Sequence, residues 1–488
     1  MPRKVFENKH IFGLKLKEHR QQKGITYQEL SDLSGLSVSY LSEIESGKKY
    51  PKKDKIQLLA KALKVSNKEM ISMDVPDKLK PVMELIESEF FRDFPLDDFG
   101  ISPQKLIEII TKEPDKANAF INTVLRIANN YELTREKFYH TALRSFLESH
   151  NNYFEELEDA VEELHLEFTE LKDIPFQPDI LEDILLKIGV RVSYDRLKNY
   201  RALRDVRSIY HPTKRILYVN AGLTTGQKNL LLGREIAFQW LRMKIRSFTT
   251  PPKGNNTFEA ILNGHKASYF AAALILPKYD LLEDIRKFAK NKKWNPEAFT
   301  DLLSKYDATP EMLMQRLTNL LPKFLNLSNL FFLRMLKSDG KYFLTKEIHL
   351  SLVHSPHTSE LHEHYCRRWV ATKVISELEQ DKRRRPIARA QISSYENSPN
   401  SYFCLSIAFP NVSNPQESMS VTIGFLKEPN LRNHLSFVDD PDIYQAKVNV
   451  TCERCGLLNC RERAAFPRLL ELQKVANKEE NEIKKILS

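Results

Sequence analysis

Residues 25–47 read ITYQELSDLSGLSVSYLSEIESG, and the punctuation of this stretch decides how the start of the chain folds. Thr26 stands at an N-cap, and Glu29 three residues on completes a capping box. Gly35 permits a tight turn, Ser37 caps the second run, and Gly47 stops it. Upstream, GLKLKEHRQQKG is an amphipathic helix ended by Gly24. From Phe12 to Met73 the pattern predicts five short helices. Two of them, joined by a glycine-centred turn, have the layout of a helix-turn-helix, whose second helix enters the major groove.

With KKYP added, this stretch resembles the XRE/Cro-type DNA-binding domains of phage and bacterial repressors, without gaps over residues 12–73. The resemblance implies a lambda-repressor-like five-helix domain. Leu30, Leu33, Leu36, Leu41 and Ile44 fall where its two central helices pack together. Ser37, Val38, Ser39 and Tyr40, with Glu43 one turn on, are expected to face the bases. Hydroxyls can bond phosphates or base edges, and Glu43 can accept from cytosine. Tyr27, Gln28, Lys48 and Lys49 are expected to hold phosphates.

The charge distribution agrees. Residues 1–74 hold 15 Lys/Arg against 9 Asp/Glu, more than half of the excess that gives the 488-residue chain its formal +10. Concentrated positive charge suits a polyanion such as DNA. No apolar run approaches the ~18 residues that a membrane span needs, and MPRKVFENKHIFG lacks an apolar signal core. A cytoplasmic protein without membrane contact is expected.

Residues 75–150 read as a helical connector. In NYFEELEDAVEELHLEFTEL, Phe154, Leu157, Val161, Leu164, Phe168 and Leu171 form a stripe that fits either a dimer seam or a helix packed on its own domain. Short strands in GVRVSYDRL and SIYHPTKRILYVN precede two helices, GQKNLLLGREIAFQWLRMKI and TFEAILNGHKASYFAAALILP. This order resembles the ImmA/IrrE metallopeptidase-like domain, which implies a zincin-like fold over residues 151–338, helical from Lys278 to about Lys337.

Active members of that family carry His-Glu-x-x-His on the first helix, with an acidic third ligand on the second. Here the two His positions are Arg234 and Phe238, and the acidic position is Lys266. Glu235 remains, but a general base needs a metal-bound water to activate. His265 is a lone imidazole, expected at a solvated helix surface. The domain therefore reads as a non-catalytic scaffold. The competing class is a zinc-dependent protease that cleaves a repressor partner under stress.

Residues 339–488 turn to an α/β pattern, with a helix in LHEHYCRRWVATKVISELEQ and strands in ARAQISSYE, SYFCLSIAF and MSVTIGFL. CERCGLLNC, residues 452–460, spaces three thiols as Cys-x2-Cys-x4-Cys. Five cysteines are too few for a secreted disulfide framework, so a tight trio favours a metal. Two thiols remain as a fourth ligand. Cys404 sits in an apolar strand, where cysteine behaves as a small hydrophobe. Cys366 lies at a helix start between His362, His364 and two arginines, a half-exposed setting that favours the thiolate. Either histidine is a further option.

CRRW followed far downstream by CERCGLLNCRERAAFP is similar to the C-terminal domain of the short-chain fatty acyl transcriptional regulators. That family joins an XRE helix-turn-helix, an ImmA/IrrE-like domain and a cysteine-bearing module in this order. The resemblance implies that Cys366 joins Cys452, Cys455 and Cys460. It also implies a [4Fe–4S] cluster; structural Zn²⁺ suits four thiolates equally well. A short-chain acyl-CoA is the implied ligand. Within the basic run DKRRRPIARAQ, Arg389 and Gln391 are the candidate contacts. The whole reads as a mostly α protein with an α+β C-terminal half, a homodimeric regulator that binds an operator.

Overall fold

The computed structural model describes residues 8–72 and 135–487, apart from 173, 204, 255–256, 351–362, 397, 412–413 and 415. The connector expected at 75–150 therefore falls mostly outside the described residues. The chain divides into two compact units, Met1–Phe146 with Thr257–Glu259, and Leu147–Asn256 with Ala260–Ser488.

The first unit opens with the five expected helices: α1 (Asn8–Gln22), α2 (Tyr27–Ser34), α3 (Val38–Glu45), α4 (Lys53–Leu63) and α5 (Asn67–Ile71). The capping box at Thr26 is closed from both sides, and Gly35 caps α2 at a left-handed φ of 67°. Phe12, Leu16, Leu30, Leu41, Ile44, Leu59 and Leu63 form the core. Leu33 departs from expectation and is 61% exposed. The buried face of α2 runs through Leu30 and Ser34, a 3.6-residue step that rotates Leu33 outward. Gly13 lets α1 lie directly on α3, because a Cβ there would stand 2.2 Å from the Ile44 carbonyl oxygen.

The second unit contains α6 (Glu155–Glu167), α7 (Pro178–Lys187), α8 (Thr225–Trp240), α9 (Phe258–Ile275), α10 (Lys278–Ala289), α11 (Pro296–Lys305) and α12 (Pro310–Leu325). A small sheet runs β1-β3-β2-β4, from Arg191–Ser193, Ile216–Val219, Ser208–His211 and Thr249–Thr250. Helices α8 and α9 touch where Gly233 meets Ala271. All six residues of the predicted stripe, Phe154 to Leu171, are buried in this unit's own core. The dimer-seam reading of that stripe is therefore overturned: its apolar face is already used.

Arg316 of α12 is fully buried, 0% exposed, and grips Glu158 of α6 at 2.5 and 2.9 Å. The Tyr269 hydroxyl of α9 donates to the same carboxylate at 2.6 Å, and Arg316 Nε donates to the Leu276 carbonyl at 3.0 Å. Burial opposes ionisation of Glu158, but Arg316, Tyr269 and Lys278 together hold its pKa below the usual value.

Six strands form the second sheet in the order β10-β7-β8-β9-β5-β6. These are Tyr444–Val448, Ile387–Tyr395, Ser401–Pro410, Ser418–Leu426, Leu330–Ser338 and Lys341–His349. Only β10 pairs in parallel, with β7. Helix α13 (Val370–Gln380) packs on the sheet through Val370, Val374, Ile375 and Leu378. The helical reading up to Lys337 fails here. Asn326 ends α12 at φ 51°, and the apolar run LFFLRMLKS then becomes β5, paired on both sides by β9 and β6. The sheet thus begins at Leu330, ahead of the boundary expected at 339. A long helix, α14 (Arg468–Leu487), follows with none of its residues buried.

Replacing Arg316 by Met leaves Glu158 charged and unpaired, which costs about 3–5 kcal/mol. Urea denaturation followed by tryptophan fluorescence measures it, since Trp240, Trp294 and Trp369 all lie in this unit. Adding Glu158→Leu should recover most of the loss.

Candidate DNA interface, degenerate peptidase cleft and thiol site

Helix α3 is set on its base by a buried carboxylate. Glu45 accepts from Arg20 at 2.8 and 3.0 Å and from the Tyr27 hydroxyl at 2.7 Å, while the Arg20 guanidinium lies 4.2 Å over the Tyr27 ring. Burial, then Glu45, pushes the Tyr27 phenol up to about 12. Tyr27 was expected to hold a phosphate; its hydroxyl instead braces α2 against the end of α3.

The other expected contacts lie at the surface. Ser37, Val38 and Ser39 are exposed, and Tyr40 and Glu43 are half-buried. The Ser37 hydroxyl accepts from the Tyr40 N–H at 3.2 Å, so it caps the helix before it reads anything. Lys49 pairs with Glu43 at 2.6 Å, and Gln28 donates to Asp32 at 3.1 Å. Lys48 is exposed beside them. Sequence reasoning missed Ser42, which is exposed one turn beyond Ser39; the i,i+3 spacing was the available signal.

In the peptidase-like part, Glu235 is buried and taken by Arg246 at 2.8 and 2.6 Å and by Gln239 at 2.7 Å. The Arg246 guanidinium also lies 3.6 Å over the Phe238 ring. Burial, then the charges of Arg246 and Arg207, bring Arg234 down to about 10. His265 is not the solvated surface residue expected. Its Nε2 is buried without a partner, and burial, then Lys346, Arg234 and Lys266, hold its pKa at about 3. A general base clamped by a guanidinium, among cations, is not free to activate water.

The thiol site is assembled by a single antiparallel bridge, Tyr365 to Thr451. Cys366 N–H donates to the Val450 carbonyl at 3.1 Å, and Cys452 N–H to the His364 carbonyl at 2.9 Å. Buried carboxylates lock each side. Glu363 accepts from Thr451 at 2.5 Å and from Arg454 at 2.6 and 2.9 Å. Glu453 accepts from the His364 N–H at 2.9 Å and lies 2.8 Å from its ring Nδ1. Arg463 fastens the knuckle by donating to the carbonyls of Cys452, Cys455 and Leu457 at 2.9, 3.0 and 2.9 Å. The Ala464 N–H donates to the Cys452 sulfur at 3.3 Å.

Cys366, Cys452, Cys455 and Cys460 line one cavity of about 10 Å³, roughly the room of one water molecule. Among the described residues, no three His, Cys, Asp or Glu side chains stand as a group that could hold a metal ion. Cys366 is 7% exposed rather than half-exposed, and it lies four residues ahead of α13. Burial, then the neighbouring Cys452 and Cys455, pushes its thiol up to about 11, so the thiolate is disfavoured. Cys404 lies buried on β8, as expected, with its thiol raised to about 12 by burial. His362 lies outside the described residues.

The expected ligand contacts are engaged by groups of the protein itself. Gln391 is fully buried and donates to the Arg368 carbonyl at 3.0 Å and to Ser393 at 2.9 Å. Arg389 pairs with Glu377 and lies 6.0 Å over the Tyr444 ring. Period-2 alternation puts both on the face of β7 that α13 covers.

Comparison with known proteins agrees with these parts. Residues 16–66 match the helix-turn-helix family, and residues 186–318 match the IrrE N-terminal-like domain. The chain is similar to the HTH-type transcriptional regulator RamB of Mycobacterium tuberculosis, 23% identical over 338 residues, which cover 64% of this chain and 66% of RamB. The HTH-type transcriptional regulator PrpR of the same organism is 24% identical over 283 residues, 54% of this chain and 56% of PrpR. The chain thus spans less than two thirds of the length of the curated relatives it matches. A solved Mycobacterium tuberculosis transcriptional regulator overlays with a TM-score of 0.47 at 18% identity, covering 67% of this chain and 93% of that one. No described helix is long and apolar enough to cross a membrane.

His265 gives a measurable pH dependence. Unfolded, it takes a proton near pH 6.5; folded, it stays neutral to about pH 3. The unfolded state therefore binds more protons over this window. Stability should fall as pH drops below about 6.5, by up to about 1.4 kcal/mol per pH unit. Denaturation midpoints from pH 7 to 5 should fall less steeply in His265→Asn than in the parent.

Proposed function

We propose that this protein is a cytoplasmic, homodimeric transcriptional regulator that reads an operator through α3. The carrying observation is the face of α3. Val38, Ser39 and Ser42 are exposed on a helix braced from beneath by Arg20–Glu45–Tyr27 and flanked by Lys48 and Lys49. Its N-terminal turn presents hydroxyls and an apolar side chain at the depth where base edges are read. The similarity to HTH-type regulators supports the same reading.

The peptidase-like part is a non-catalytic scaffold in this proposal, with Arg246 on Glu235 and Arg234 and Phe238 at the expected histidine positions. The second unit is the sensor, and the four cysteines are its metal site, with short-chain acyl-CoA as the candidate effector. What supports this is four cysteines lining one small cavity, a guanidinium fastening their loop and an N–H directed at one sulfur; the side chains would have to draw together to bind a metal as thiolates. The donor set suits Zn²⁺ or [4Fe–4S]; the present cavity has the size of a single ion. Either group would replace thiol protons and tie residues 364–366 to 452–464.

DNA binding is tested by selecting genomic fragments on the full chain and measuring affinity for the recovered site. Ser39→Ala with Ser42→Ala should weaken binding about tenfold, or about 1.4 kcal/mol, and relax sequence preference. Retention of no fragment, or equal affinity in the double variant, sinks the reading. The metal site is tested by assaying iron, sulfide and zinc in protein purified without oxygen. Stoichiometric metal lost on Cys366→Ser is expected, and metal-free protein overturns it.

A further inference from the structure

The degenerate peptidase cleft carries positive charge that DNA binding does not use. Arg234 comes from α8, Arg246 from the loop behind it, and Arg207 from the approach to β2. Lys266 comes from α9, and Arg334 and Lys346 come from β5 and β6 of the larger sheet. Two carboxylates answer them. Glu235 is engaged by Arg246. Glu311 is held by Arg334 at 3.0 Å from each oxygen and by Lys346 at 3.7 Å.

These groups form one neighbourhood. Lys346 and Arg207 both act on Glu311 and on Arg234, and Lys346 acts on His265. Two buried nitrogens in it, Arg234 Nε and His265 Nε2, have no partner. An unsatisfied buried nitrogen next to surplus charge marks a place where a partner belongs. Solvent still reaches the cleft, because Arg334 and Lys346 keep 28% and 31% of their side chains exposed.

We propose that this cleft binds an anion of the phosphate or diphosphate type. Guanidinium forks match phosphate oxygens in pairs, and ammonium groups add charge without a fixed direction. A cation site would need carboxylates and imidazoles at positions 234, 238 and 266; this chain places arginine, phenylalanine and lysine there. The walls also come from two sources, the peptidase-like helices and the larger sheet. A bound anion would therefore touch both β5 and β6 and α8 and α9. The inference stands apart from the DNA-binding reading.

The test is calorimetric titration of the full chain with pyrophosphate and, separately, with coenzyme A at ~150 mM salt, where exposed charges are largely screened. Saturable binding is expected, weakened at least tenfold in Arg234→Gln and in Lys346→Gln and unchanged in Arg432→Gln, an exposed arginine paired with Asp439 instead. Lys346→Gln alters a part-exposed residue of β6 and leaves Arg334 on Glu311, so its melting temperature should stay near that of the parent and keep the comparison valid. Coenzyme A binding more tightly through the same residues assigns the phosphate to a coenzyme-type ligand. Pyrophosphate binding equally well assigns a free phosphate. Absence of binding, or binding indifferent to Arg234 and Lys346, overturns the proposal. Operator affinity of the same variants without anion should equal that of the parent, so failure here leaves the regulator reading intact.

Discussion

Arg316 has no access to water, and the second unit is organised around the charge it brings inside. Its partners lie on two other segments: Glu158 on α6, and on α9 Tyr269, through the shared carboxylate, with the Leu276 carbonyl just past the helix end. An apolar triad of equal volume would be no less stable. A guanidinium fork, however, fits only one arrangement of donors and acceptors, so the pair fixes how α6, α9 and α12 are registered. Every feature of the cleft inherits that register, because His265 and Lys266 ride on α9 and Glu311 rides on α12.

The same device recurs wherever a surface must be held still. Arg20 on Glu45 seats α3, Arg246 on Glu235 fills the peptidase-like site, and Arg454 on Glu363 braces the bridge to the thiols. In each case the carboxylate is the more buried partner. Arg20 and Arg246 each have a further contact, to the Ile25 carbonyl and over the Phe238 ring, that limits their freedom. The Glu235 carboxylate, inside the part that matches the IrrE N-terminal-like domain, is thus occupied by an internal cation.

Much of the first unit was legible in the sequence because its signals are local. Thr26, Glu29, Gly35 and Ser37 act within one turn, and each does what its residue type dictates. Leu33 and Tyr27 misled because their fates depend on which face α1 covers, a tertiary fact set partly by Gly13. The convergence of Cys366 with the C-terminal trio was readable only through family resemblance. The bridge that makes it joins residues far apart in the chain, and no periodicity announces a single pair. β5 was misread because a strand covered on both faces shows a continuous apolar run, which local pattern does not distinguish from a buried helix. Gln391 was misassigned for a related reason: a polar residue in a strand can spend its donors on a nearby carbonyl and hydroxyl inside the fold.

The Lys49–Glu43 pair on the rim of α3 carries a consequence for how DNA is engaged. Lys49 is already partly neutralised before any phosphate arrives, so docking exchanges one anion for another and displaces less of the condensed ion atmosphere than a free lysine would. Lysines around this helix therefore do not count one for one as released counterions. The internal carboxylate competes equally against every phosphate, whatever the sequence beside it. Loose encounters are penalised, and a site where Glu43 finds a donor of its own on a base edge recovers the difference. In the proposed operator complex, this surface pair would thereby help set the contrast between specific and non-specific residence on DNA.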